Sequence, residues 1–382
     1  MNVDLVVIGA GLSGCALVGR LHQIGWSGSM AIVEAGRGPG GRCATRRRRD
    51  DPDWRLDHGA PGLNFLGPVD ERLEALLQPL RTSGVLRPEW GAITAVDSCG
   101  ALLDPPEHPL LLGEQWRAHP TMAHLCEALL PTSNANVEML FGRRVRRLVW
   151  ERSSWILYDE AGELIVQAKA LVLSGSLLAH PRSLAMLSWG DVPLRSAIAE
   201  GQDPQVDRVL ACLAASQSAV RWNLMLALPA LHSVDAATEL PRQIWLSAEA
   251  QDCFEIERLV LHPQADGGLG VVVHGLDPGL EITPESQPSL LAERERRLQQ
   301  GLSTILRPWP SLVDALNHKR VQGVMRWGAS QPLNQPLPAA LQWCPHSALG
   351  LCGDWIEGQG FGRAEGALLS AVALADTLQA AR

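Results

Sequence analysis

The chain opens on a continuous apolar run, Val3-Asp4-Leu5-Val6-Val7-Ile8, broken by a single acid. Such a run suits a parallel strand covered on both faces. Cys15, Leu17, Val18 and Leu21 then recur at helical spacing. After a turn at Gly25–Gly28, Met30-Ala31-Ile32-Val33-Glu34 reads as a second strand, so residues 2–35 form one βαβ unit. Residues 36–49 are rich in Gly and Arg and read as a loop. Helices are expected over 70–81, 120–130, 206–214 and 289–306. Strands are expected over 137–149, 154–173, 219–228, 256–262 and 269–275. The apolar run 348–352 reads as a last strand, followed by a helix over 363–378. No repeat and no low-complexity segment interrupts this order.

Length and composition narrow the field. A chain of 382 residues, 46% apolar, points to two packed domains. The net charge of −8 disfavours holding a phosphate backbone, so nucleic acid is not an expected partner. The 8 cysteines form no CxxC pair and no zinc-spaced Cys/His cluster, so reduced thiols and no metal are expected. No stretch is long and apolar enough for a membrane span, and no basic leader precedes Val3, so a cytoplasmic protein without a membrane partner is expected.

The chemistry concentrates at both ends. Gly9-Ala10-Gly11-Leu12-Ser13-Gly14 follows the first strand and opens the first helix. In such a motif Gly9 permits the tight turn, Gly11 lets backbone approach a pyrophosphate, and Gly14 allows close helix–strand packing. The helix N-terminus, including Ala10 and Ser13, offers free N–H groups to phosphate. Glu34, with Ala35 beside it, stands where a ribose-binding acid is expected. Gly40-Gly41-Arg42-Cys43-Ala44-Thr45 comes next, then the solvated run Arg47–Arg49, then Asp57-His58-Gly59-Ala60. The other end carries Leu351-Cys352-Gly353-Asp354 and Gly358-Gln359-Gly360-Phe361-Gly362-Arg363-Ala364-Glu365-Gly366-Ala367.

Together these segments resemble the renalase-like group within the amine-oxidase superfamily of flavoproteins. The likeness covers 3–62, 118–175 and 321–380. It implies an α/β fold: a Rossmann-like FAD-binding domain of the glutathione-reductase and p-hydroxybenzoate hydroxylase type, with an interleaved substrate domain on a mostly antiparallel sheet. The expected boundaries are 1–66, 115–178 and 321–382 for the FAD domain, and 67–114 and 179–320 for the substrate domain. Carried over residue by residue, the resemblance gives Gly41, Arg42 and Thr45 to the pyrophosphate segment and Gly59 and Ala60 to a turn beside the flavin ring. It places Val145 against adenine and Gly353 and Asp354 at the ribityl and pyrophosphate region. Arg363, Glu365 and Ala367 stand at a helix N-terminus aimed at the flavin.

The cofactor implied is non-covalent FAD, with buried, inert Cys344 and Cys352 set against covalent attachment. The implied activity is an oxidase passing hydride from a small dihydronicotinamide isomer to flavin N5 and then to molecular oxygen. Amine oxidase, desaturase, aromatic hydroxylase and non-catalytic flavin-binding readings stay open. The group's His-Arg-Trp stretch survives here as Met325-Arg326-Trp327. Trp327 is the candidate wall of the flavin site. His58 is read either as an acid/base or as a structural part of its loop. Amine oxidases of the superfamily use a buried lysine, for which Lys319 is the candidate, against a default surface role.

Overall fold

The computed structural model describes residues 1–51, 53–131, 136–231, 240–279, 282–283 and 285–381. Its fold is mixed α/β, built on two large sheets. In the first, five strands run parallel in the order Val137–Phe141, Met30–Glu34, Asn2–Ile8, Leu164–Leu173, Leu349–Leu351. Ser154–Asp159 and Val145–Glu151 extend this sheet antiparallel from the early part of Leu164–Leu173. On the edge away from Asn2–Ile8 the long strand thus serves two partners, one along each half.

Alternation along the parallel strands sets the two cores. From Asn2–Ile8, Leu5 and Val7 face a cluster with the helices Leu12–Gln23, Met122–Leu129 and Ala364–Ala380. Val3 and Val6 face the opposite cluster, with Trp155, Leu194, Val206 and Leu210. A strand buried on both faces needs apolar side chains at nearly every position, which is what residues 3–8 supply.

The second sheet has the order Arg320–Pro332, Ser218–Leu228, Leu269–Leu276, Ile256–Pro263, Gln243–Leu246, Ile93–Val96, Leu102–Leu103. All its pairings are antiparallel except Gln243–Leu246 with Ile93–Val96. Its back face buries Trp222, Leu224, Leu259 and Val273 against leucines of the helices Gln287–Gln299 and Pro310–Leu316. Its front face looks toward the first domain.

Several expected boundaries shift. The strand expected over 137–149 is two strands, because Gly142 turns the chain at φ +69 and sends it to the other side of the sheet. Gly301, at φ +81, ends the helix expected over 289–306. Helix Glu71–Thr82 lies in the stretch assigned to the substrate domain, yet Leu73, Leu76, Leu77 and Leu80 pack into a core of the first sheet. Residues 179–213 likewise contribute Ala179, Ile198 and Leu213 to the core on the other face of the first sheet. Arg320–Pro332, assigned from 321 to the FAD domain, is instead the edge strand of the second sheet. Amphipathic pattern fixes which face is apolar but not which sheet receives it, so such segments exchange sides. Among the described residues no helix is long and apolar enough to cross a membrane.

Candidate functional site

A cleft of about 590 Å³ runs between the two sheets and is lined from both ends of the chain. At one end lie Glu34, Ala35, Arg143, Arg144 and Val145; at the centre Gly9, Gly11, Ser13, Gly41 and Arg42 meet Asp354, Arg363 and Ala367. Gly59, Ala60 and Trp327 line it toward the second domain.

The glycines are held by contact as well as by conformation. A Cβ on Gly14 would sit 2.0 Å from the Gly9 carbonyl oxygen, and one on Gly41, at φ +52, would sit 2.9 Å from the Gly11 Cα. Helices Leu12–Gln23 and Ala364–Ala380 both begin without a side-chain cap, and their first-turn residues line the cleft. Uncapped N-terminal N–H groups need partners and carry a partial positive charge, so the two termini make one anion-favouring strip. Glu34 is fixed below this strip: its carboxylate accepts from the Ala10 N–H at 2.9 Å and the Gly36 N–H at 2.6 Å.

Arg42 and Asp354, expected to reach a ligand separately, form a fork-to-fork pair. Arg42 Nη1 donates to Asp354 Oδ2 at 2.7 Å and Nη2 to Oδ1 at 2.5 Å, while Nη1 also donates to the Ser330 carbonyl. The pair ties the two chain ends together and fixes the guanidinium plane. Sequence reasoning missed Arg182, which also lines the cleft. It donates to Ser176 Oγ at 2.8 Å and has no carboxylate partner among the described residues. Burial, and then Arg42, pull its pKa down to about 10.

Other expected site residues lie one layer back. Ala10, Gly14, Gly353 and Glu365 do not line the cleft; they pack or hydrogen-bond behind it. Gly353 donates its N–H to Ser370 Oγ, and Glu365 accepts from Arg363 and Gln359. Thr45 is also set back, donating to buried Asp57 at 2.7 Å. His58 does not line the cleft either. Its ring stacks on Trp327 at 5.4 Å, and its carbonyl accepts from Trp327 Nε1 and from Asn223 Nδ2. Burial, and then Arg46, push its pKa down to about 4, so it stays neutral. The His58 ring and carbonyl thus hold Trp327 in place. Lys319 does not line the cleft, and its amine donates to the Leu316 carbonyl. Cys344 and Cys352 are buried away from it, their thiols pushed up to about 12 by burial.

The wall furthest from the glycines was not foreseen at all. It is the front face of the second sheet, with Arg221, Asn223, Gln243, Glu257, Arg258 and His274. A bulge between Ile256 and Arg258 makes two neighbours face the same way, so Glu257 and Arg258 both reach the cleft. The sequence signal was present: Arg221-x-Asn223 and His274 interrupt otherwise apolar strands on one face only.

Comparisons with known proteins agree with this geometry. Residues 7–80 match the NAD(P)-binding Rossmann-like domain family. A cofactor-binding redesign of putrescine oxidase superposes with a TM-score of 0.66 at 13% identity, covering 100% of both chains. Cyclohexylamine oxidase from Brevibacterium oxydans gives 0.62 at 14% identity, covering 99% of this chain and 100% of its own. A putative protoporphyrinogen oxidase from Exiguobacterium gives 0.61 at 12% identity, over 99% of each. This chain has the fold of these oxidases. A comparison with curated proteins finds no sequence match.

Proposed function

We propose that this chain is an FAD-dependent oxidoreductase, and specifically an oxidase of a small dihydronicotinamide-like hydride donor. The observation that carries the cofactor reading is the single cleft onto which two uncapped helix N-termini, from opposite ends of the chain, open together. FAD, when bound, supplies a two-electron acceptor for the substrate's hydride and passes the electrons to oxygen. The residues present fit such a group. Glu34 suits the adenosine ribose, and Gly11, Gly41, Arg42 and Arg182 suit the pyrophosphate. Val145 suits the adenine, and the Ala364–Ala380 N-terminus suits the electron-rich end of the ring system. Trp327, on the edge strand of the second sheet and held by the His58 carbonyl, lines the cleft where the two sheets face each other.

An amine oxidase is the second reading, favoured by the fold shared with putrescine and cyclohexylamine oxidases. Against it, neither Lys169 nor Lys319, the two lysines of the sequence, lines the cleft. The test is the visible spectrum of the purified protein, followed by anaerobic addition of 2- or 6-dihydro-NAD isomers. Flavin bands that bleach rapidly bear out the whole proposal. Bands that persist with these donors but bleach with amines replace the substrate. A colourless protein that cannot be loaded with FAD ends the cofactor reading.

A further inference from the structure

The front face of the second sheet carries a charged group that the cofactor reading does not use. Glu257 accepts from Arg221 Nη2 at 2.6 Å on one oxygen and from Arg258 Nη1 at 2.6 Å on the other. Asn223, His274 and Arg258 stand in register across three adjacent strands, hence on one face. Arg258, His274 and Asn223 are 7%, 3% and 2% exposed, and all line the cleft.

The charges do not cancel. Two guanidiniums share one carboxylate, and burial, followed by Arg258 and Arg221, holds His274 well below its ordinary pKa, so it adds nothing. One positive charge is left over in a water-poor wall. The hydrogen bonds do not close either. Each guanidinium has five N–H donors and Glu257 takes one from each. Arg258 Nε, Asn223 Oδ1 and His274 Nε2 are buried without a partner among the described residues. Buried polar atoms are normally paired, and a wall with spare donors and surplus positive charge is arranged for a ligand. Trp245, with Arg258 4.8 Å from its ring, backs this wall with a flat apolar surface.

We propose that this wall is the recognition subsite for an anionic group of the substrate, a carboxylate or a phosphate, with Arg221 and Arg258 as its donors and Asn223 accepting an N–H or O–H from the same molecule. The proposal rests on reading the cleft as a joint cofactor and substrate site. It sets the substrate class: an anion neutralises the surplus charge, whereas a protonated amine would meet it.

The test is a tryptophan-fluorescence titration of the purified full-length protein with benzoate, inorganic phosphate, benzamide and benzylamine, for wild type and Arg221→Gln. Arg221 is chosen because its side chain is 21% exposed, whereas Arg258 is buried at 8%. Benzoate or phosphate should bind at least about tenfold tighter than benzamide and benzylamine, and Arg221→Gln should lose about tenfold for the anion alone, as expected for one lost charge-assisted hydrogen bond. The tighter of the two anions identifies which group the substrate carries. Equal binding of the amide or amine, or an anion affinity unchanged in Arg221→Gln, overturns the proposal. A yellow protein indifferent to anions removes this subsite alone; a colourless protein that binds them through Arg221 removes the flavin reading and keeps the subsite.

Discussion

Gly14→Ala probes a tight joint of the nucleotide-binding half. Gly14 lies inside helix Leu12–Gln23, where alanine is ordinarily favoured over glycine by about 1 kcal/mol. Here the added Cβ would lie 2.0 Å from the Gly9 carbonyl oxygen and 2.9 Å from Ser174 Oγ. The serine can rotate, but the carbonyl is backbone, on the turn leaving the strand Asn2–Ile8. Relief therefore means lifting the helix from the strand by roughly 1 Å, against a core built for close packing. Overpacking of this kind costs about 1–3 kcal/mol. With no rotamer to absorb it, the upper end applies, leaving a net loss of about 2 kcal/mol after the helix gain. For a domain of this size that lowers Tm by roughly 4–8 °C. The same displacement moves the free N–H groups of Leu12 and Ser13, so FAD occupancy should fall as well.

The assay is thermal unfolding by circular dichroism, with the released flavin quantified by absorbance. Gly38→Ala is the control, since its Cβ would meet nothing within 4 Å and its backbone is not left-handed. It should unfold within about 1 °C of wild type, as surface changes do. A Gly14→Ala protein as stable as wild type, with full flavin content, would refute the argument that this glycine is required by contact.

Two further outcomes follow from the charges. Arg182→Gln should weaken FAD binding about tenfold by removing an unpaired cation from the phosphate-facing stretch. Arg42→Gln should do the same and also cost the apoprotein roughly 2 kcal/mol, because Asp354 is left buried and unpaired; this is less than a fully buried pair would lose, since the Arg42 side chain is 38% exposed. FAD fluorescence titration with apoprotein melting checks both, and equal apoprotein stability of the two variants rejects the second. The depressed pKa of His58, about 4 against 6.5 when unfolded, makes its contribution to stability present above pH 6.5 and lost as pH falls toward 4, about 3 kcal/mol in all. Buried His262 and His274 shift in the same direction. Urea midpoints at pH 7 and pH 4.5 should separate more in wild type than in His58→Asn, and identical separations count against a buried neutral His58.

The two halves of the site differ in how they are written in the chain. The half with the two helix N-termini is local: Gly9 to Gly14 and Gly353 to Ala367 each build a turn and a helix start within one segment, so the residues carry their own geometry. Thr45 and His58 mark the limit of that reading. Their segments were located by motif, but whether a side chain faces the cleft or the layer behind depends on neighbours such as Asp57 and Trp327. The half built on the second sheet has no local signature. Asn223, Arg258 and His274 meet because three strands pair in one register, and Glu257 joins Arg258 only because a bulge adds a residue to one strand. A slip of one residue would turn each of these side chains into the apolar core of Trp222, Leu259 and Val273. That dependence has a physical consequence. Burying Arg258 or His274 among leucines would be far costlier than facing the cleft, so the polar residues that define the subsite also oppose register slips of the sheet that carries it.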